Sequence, residues 1–214
     1  MRIFYGVIAM AAVVVASNIL VQFLIVGGLL TWGAFTYPLA FLVTDVMNRV
    51  YGAAAARKVI FVGFVVGIIC SLVGTQVMIE FEPGISGPAV ALRVAVGSAI
   101  GFLVAQLVDV AIFDRLRAGA WWRAPFVSSL FGSALDTALF FSIAFSASLG
   151  ALFGAGANAE VAWAQDAAPL LLTGPDAPLW VTLALADWGV KLAIALIALI
   201  PFRLIVARLQ APAA

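Results

Sequence analysis

The sequence has no histidine and a single cysteine, Cys70, in 214 residues. Without histidine there is no Ser–His couple, no HExxH zinc site and no other imidazole-based metal centre. One cysteine makes neither an intrachain disulfide nor a thiolate cage. Charge is scarce too: Asp, Glu, Lys and Arg make up 10% of the chain and sum to +1, where a soluble domain carries about 25% charged residues. A balance so near zero offers no electrostatic footprint for nucleic acid. No GxGD sequence marks an intramembrane aspartyl protease, and the run Gly52 to Lys58 lacks the GK[ST] ending of a phosphate-binding loop. These absences point away from an enzyme; no catalytic residue, metal site or cofactor is expected.

What the chain has in abundance is apolar sequence, 65% of its residues, with a mean hydropathy of +1.20. The apolar runs are long enough to cross a hydrocarbon layer as helices, which needs about 20 residues at 1.5 Å rise each, and far too long for barrel strands. The expected fold is all-α: one polytopic membrane bundle over 1–214. Its six spans lie at 3–26, 35–51, 59–79, 90–113, 124–153 and 179–205, with a long outer loop at 154–178. The first run continues past Ala16, Ser17 and Asn18 and is longer than a signal-peptide core, so it reads as a membrane helix. Glu80–Pro88 carries turn residues and reads as a loop.

Orientation follows from basic residues. Arg2, Arg57, Lys58, Arg115, Arg117, Arg123, Arg203 and Arg208 all fall at the N-terminus, the second and fourth connections or the C-terminal end. The other three connections hold Glu80, Glu82, Glu160, Asp166 and Asp176 and no Lys or Arg. Both termini are therefore expected to be cytoplasmic, in a bacterial inner membrane, with Trp121-Trp122 as an interfacial anchor. GxxxG spacings at Gly63–Gly67, Gly97–Gly101 and Gly150–Gly154 permit close helix approach, first within one bundle and secondly in a homodimer.

Seven ionisable residues fall inside the expected spans: Asp45, Arg49, Arg93, Asp109, Asp136, Asp187 and Lys191. At about 2.5–3.5 kcal/mol each they would cost roughly 20 kcal/mol unpaired, more than a typical folding stability of about 5–15 kcal/mol. They must pair or face a wet interior. Residues three or four apart share a helix face, and Asn18/Gln22, Asp45/Arg49, Gln106/Asp109, Ser129/Ser133/Asp136/Thr137/Phe140 and Asp187/Lys191 each form such a stripe. Two readings stand for most of these. Asp45–Arg49 and Asp187–Lys191 are either intrahelical ion pairs or site residues. Asn18, Gln22 and Gln106 are either interhelical hydrogen-bond glue or ligand contacts, and Arg49 and Asp109 lie within snorkelling reach of the interface. Asp136 has no basic neighbour on its own helix, and Lys191, at similar depth, is its expected partner. The groups are heterogeneous, unlike the rings of a selective pore, which favours a carrier for a small polar molecule.

Three long stretches resemble one known family. They are Thr31 to Gly52 (TWGAFTYPLAFLVTDVMNRVYG), Gln106 to Arg117 (QLVDVAIFDRLR) and Trp121 to Phe145 (WWRAPFVSSLFGSALDTALFFSIAF). With Ser17-Asn18 and the Asp187–Lys191 segment they are similar, in order, to the queuosine precursor transporters of the vitamin uptake transporter family. Ser133 departs from the pattern, standing where relatives often have a larger amide, and the 146–178 segment is longer than expected. The resemblance implies a stand-alone inner-membrane carrier that imports the 7-deazaguanines preQ0 or preQ1 for tRNA modification. A guanine-like edge presents adjacent N–H donors that a carboxylate accepts in bidentate fashion, amides match its carbonyl, and aromatic rings stack on its face. Asp136 and Asp109 are then expected as acceptors, Asn18, Gln22 and Gln106 as amide contacts, and Tyr37 or Phe140 as the stacking surface. Asp45, Asp187 and Lys191 complete the candidate substrate site, and Arg49 and Arg93 are assigned to gating or ion pairing. The expected partners are a deazapurine and the lipid bilayer, not nucleic acid. Alternatives are a carrier of another heterocycle or vitamin, or a binding subunit that needs an external energising module.

Overall fold

A computed structural model describes residues 2–20, 24–25 and 29–210. Five of its helices are long and apolar enough to cross a membrane: α1 (Arg2–Leu20), α4 (Ala53–Gln76), α5 (Leu92–Leu116), α6 (Arg123–Phe145) and α8 (Leu179–Gln210). The segment expected as the second span is broken instead into α2 (Gly33–Thr36) and α3 (Leu39–Tyr51). Pro38 lies at the break because it has no N–H to donate back to the preceding turn; Tyr37 and Pro38 nevertheless keep right-handed helical backbone, so the direction carries through. The 13 residues of α3 alone reach about 20 Å, short of the roughly 30 Å hydrocarbon layer.

Other boundaries moved for local reasons. The first helix is described to Leu20, and by Leu24, short of the expected Val26, the chain is extended, where β1 (Leu24–Ile25) pairs antiparallel with β2 (Leu30–Thr31). In its last described turn Asn18 donates its Nδ2 to the Val14 carbonyl at 2.9 Å, the kind of side-chain competition that weakens helices. The connection expected between 51 and 59 shrinks to one residue. Gly52, at φ +87°, makes the whole corner between α3 and α4, and the alanines after it, strong helix formers, start α4 at once. The fifth span ends at Phe145 instead of 153, where Ser146 turns extended and its Oγ accepts from Ser148 N. Beyond it the chain forms a 3₁₀ turn (Ala147–Leu152), α7 (Ala155–Ala159), further 3₁₀ turns and a hairpin of β5 (Ala167–Pro169) with β6 (Asp176–Pro178). The expected loop at 80–88 belongs to another hairpin, β3 (Met78–Glu82) with β4 (Ile85–Pro88), whose turn is held by Glu80 accepting from Gly84 N at 2.8 Å.

The long helices wrap around α3. Helices α5 and α6 share the most extensive contact, α4 bridges α1 and α5, α8 lies on α6, and α3 touches α1, α4, α5 and α8. Five consecutive α3 residues, Thr44 to Asn48, are buried, so this helix presents no face to the outside along its middle. Glycines set the close approaches. A Cβ on Gly97 would sit 3.0 Å from the Phe140 carbonyl oxygen and 3.3 Å from Ala144 N, and one on Gly132 would sit 2.8 Å from the Phe41 ring. Both helical GxxxG spacings are used inside the bundle: Gly97/Gly101 against α6, and Gly63/Gly67 against Met10 and Val14 of α1. Gly97→Val should therefore lower the thermal melting point of the purified protein, by the equivalent of about 1–3 kcal/mol for an overpacked contact. Gly154→Ala, with nothing within 4 Å of the added carbon, should leave it unchanged.

Candidate functional site

Two polar clusters lie inside this bundle, each assembled from several elements. Lys191 of α8 organises the first. Its Nζ reaches Asp136 Oδ2 at 2.7 Å, Asp187 Oδ2 at 2.5 Å and Thr137 Oγ1 at 3.0 Å, which uses all three ammonium donors. The Tyr37 hydroxyl, at the α2–α3 joint, donates to Asp136 Oδ1 at 3.0 Å, and Thr137 donates to Asp187 Oδ2 at 3.0 Å. The ammonium also sits 5.5 Å from the centre of the Tyr37 ring, within cation–π range. The Asp136–Lys191 ion pair expected from depth is present, and Lys191 bridges both acids rather than pairing only along its own helix. Asp187 is the most exposed of the cluster's charged members, its side chain 15% exposed against 4–5% for Lys191 and Asp136.

The second cluster lies between α3, α5 and α6. Ser128 and Ser129 donate to the two oxygens of Asp45, each at 3.3 Å. Asp109 lies against the same stretch of α6, where a Cβ on Gly132 would sit 3.2 Å from its own Cβ. Thr44 donates to Gln106 Oε1 at 2.7 Å, and Asn48 Nδ2 donates to the Val110 carbonyl at 3.2 Å. Four buried polar atoms here have no hydrogen-bond partner: both oxygens of Asp109, Gln106 Nε2 and Asn48 Oδ1. Such groups are rare in native interiors, and they are grouped here within one turn of each other on α3 and α5.

A cavity of about 20 Å³ joins the clusters, lined by Asp45, Ser129 and Ser133 on one side and Lys191 on the other, with Phe41 and Phe202 among its apolar walls. It has room for about one water, so an aromatic ligand needs the helices to part. Apolar layers close both ends. Val46, Phe113, Ala124 and Phe202 pack toward the basic end, and Phe141, Phe145, Val161 and Ala164 toward the acidic end.

Several expected site residues lie elsewhere. Arg49 makes no ion pair with Asp45. Its guanidinium runs to the basic end, donating to the carbonyls of Arg117 (2.5 Å) and Trp121 (3.5 Å) and lying 5.1 Å from the Phe113 ring, while Arg117 donates back to the Asn48 and Arg49 carbonyls. Asp45 and Arg49 have the right spacing, but Asp45 is turned to the α6 serines and the arginine to the interface. Among the described residues Arg93 pairs with no carboxylate either. It donates to the Ile143 and Ser146 carbonyls, the free end of α6, and to Asn158 Oδ1, and stacks on Phe153, which ties the 146–178 segment to the bundle. Asn18 bonds its own helix. Phe140 belongs to the aromatic cluster with Phe141 and Phe145 and does not line the cavity. Gln22 falls outside the described residues. Thr137, Thr44, Asn48, Ser128 and Phe41 were not among the residues assigned to the site. Asn48 was recoverable, since it stands three residues beyond Asp45 on the same face.

Residues 31–206 match the family described as "Putative vitamin uptake transporter". Among curated proteins, the "Probable queuosine precursor transporter" of Haemophilus influenzae is 43% identical over 121 residues, covering 54% of this chain and 52% of its own. The "Queuosine precursor transporter" of Escherichia coli is 37% identical over 147 residues, 62% of this chain and 64% of the relative. The Bacillus subtilis "Probable queuosine precursor transporter" is 32% identical over 129 residues, 54% and 56% respectively. The matched chain thus spans between half and two thirds of the length of these relatives. No solved structure matches it.

Proposed function

Because the chain belongs to the vitamin uptake transporter family, we propose that it is a membrane carrier importing queuosine precursors, the 7-deazaguanines preQ0 or preQ1, and not an enzyme. The observation that carries this reading is the enclosed polar interior. Asp45 and Lys191, from separate helices and separate clusters, line one void, and apart from Ser129 and Ser133 the rest of its wall is apolar. A carrier needs such a central site closed at both ends, with polar groups converging where the bundle opens.

In this reading Tyr37, Asp136, Thr137, Asp187 and Lys191 form the substrate cluster. When the helices part, the Asp187 and Asp136 carboxylates accept the adjacent N–H donors of a guanine-like edge, and the Tyr37 ring supplies a stacking face. The aminomethyl cation of preQ1 is favoured by the same acids, since Lys191 alone neutralises one of the two. The sixth span is α2 and α3 taken together, about 28 Å from Gly33 to Tyr51, and the Arg- and Lys-bearing end faces the cytoplasm across the inner membrane.

The test is the queuosine content of tRNA in cells unable to make the precursor, supplied with preQ1, with and without this protein. Restoration of queuosine is expected only with it. Unchanged tRNA despite normal membrane accumulation would overturn the reading, and uptake by the purified chain alone in liposomes separates a complete carrier from a binding subunit.

A further inference from the structure

The substrate cluster leaves Asp45 and Asp109 unexplained. Both are buried, at 3% and 0% exposure, and both pack on one stretch of α6, Asp45 on Ser128 and Ser129 and Asp109 against Gly132. No donor reaches either oxygen of Asp109, while Asp45 receives only the two serine hydroxyls of α6. Among the described residues no cation forms an ion pair with either acid. On α3, Arg49 is engaged by the carbonyls of Arg117 and Trp121. Just past α5, Arg117 is engaged by Asp114 and the end of α3. On α6, Asp136 adds another acid, and its partner Lys191 of α8 has all its donors committed to Asp136, Asp187 and Thr137. Where α4 packs against α3 and α5 it contributes apolar residues such as Val59 and Ile60. Two neighbouring ionised carboxylates buried with no cation to pair them are among the least favourable arrangements a protein interior can hold, and such a pair keeps one proton between its oxygens.

We propose that the Asp45–Asp109 pair is a proton-binding site, holding one shared proton while the bundle is closed and releasing it to water when the cavity beside Asp45 opens. The proton bridges one oxygen of each residue; on opening, both carboxylates are hydrated and the proton leaves to solvent, with no other bond made or broken. Asp45 lines the void that Lys191 also lines, so a substrate entering there meets the proton site. Proton movement is thereby linked to substrate movement, a clause that rests on the transport reading above.

Infrared spectroscopy of the purified protein tests the site without any substrate. At neutral pH the wild type should show the carbonyl stretch of a protonated carboxylic acid. The band should be lost in Asp109→Asn and in Asp45→Asn, shifted but retained in Asp109→Glu, and unchanged in Glu160→Gln at the bundle's edge. Absence of the band from the wild type, or its survival in both Asn variants, overturns the proposal. In liposomes carrying a pH dye, adding preQ1 should shift the internal pH with the wild type and not with Asp109→Asn. Substrate uptake with a flat dye signal, or uptake that follows sodium instead, overturns the linkage. If no precursor enters at all, the transport reading falls and the infrared result still decides the proton site.

Discussion

Asp136→Asn should reduce the initial rate of labelled preQ1 uptake about a hundredfold while the protein still accumulates in the membrane. Asp136 accepts from Tyr37 and from Lys191 on its two oxygens. The amide keeps the size and one acceptor of the carboxylate but removes its charge and turns the other position into a donor. Hydrogen bonds to charged groups are worth about 1.5–3 kcal/mol, and every 1.4 kcal/mol is tenfold in affinity, so the expected loss follows from one such contact. Insertion should survive, because neutralising an acid lowers the burial penalty rather than raising it. Uptake of wild-type rate by Asp136→Asn would remove this residue from the site. Asp187→Asn should be milder, since Asp187 is the more exposed of the two acids around the lysine.

Lys191→Met should do the reverse, damaging the fold and the transport together. The methionine fills the space of the lysine stem, but Asp136 and Asp187 then lie together in an apolar interior without a cation. Removing one partner of a buried pair costs about 3–5 kcal/mol, a large share of a stability of about 5–15 kcal/mol. The expected result is a sharply lower melting temperature in detergent and poor accumulation in cells. Adding Asp187→Asn to Lys191→Met should recover part of the melting temperature, because one of the stranded charges is gone, yet restore no uptake. Lys191→Arg should not substitute either. A planar guanidinium does not reproduce the three-way grip that a compact ammonium makes on Asp136, Asp187 and Thr137. If Lys191→Met melted like the wild type, the three-residue bridge would not be holding α6 to α8.

The membrane character, the positions of the long helices and the depth of the buried charges all follow from one-dimensional properties. Runs of apolar residues have a fixed length along a helix, and i, i+4 spacing places Asp187 under Lys191 whatever surrounds them. Family motifs from Thr31 onward are equally local. Depth along neighbouring helices even paired Asp136 with Lys191 across chain segments 55 residues apart.

What packing decided is which of two permitted partners each side chain takes. Asp45 had Arg49 one turn away, yet α6 brings Ser128 and Ser129 to it while the longer arginine reaches the interface. Arg93 looked like half of an ion pair until the free carbonyls of α6 and Asn158 came within its reach. The division of the polar residues into two clusters around one small void depends on α3 being enclosed by its neighbours, and that depends on Gly97, Gly101 and Gly132 letting α5 and α6 close around it. No spacing along a single helix contains that information, because interhelical distance is set by the smallest residues of both faces at once.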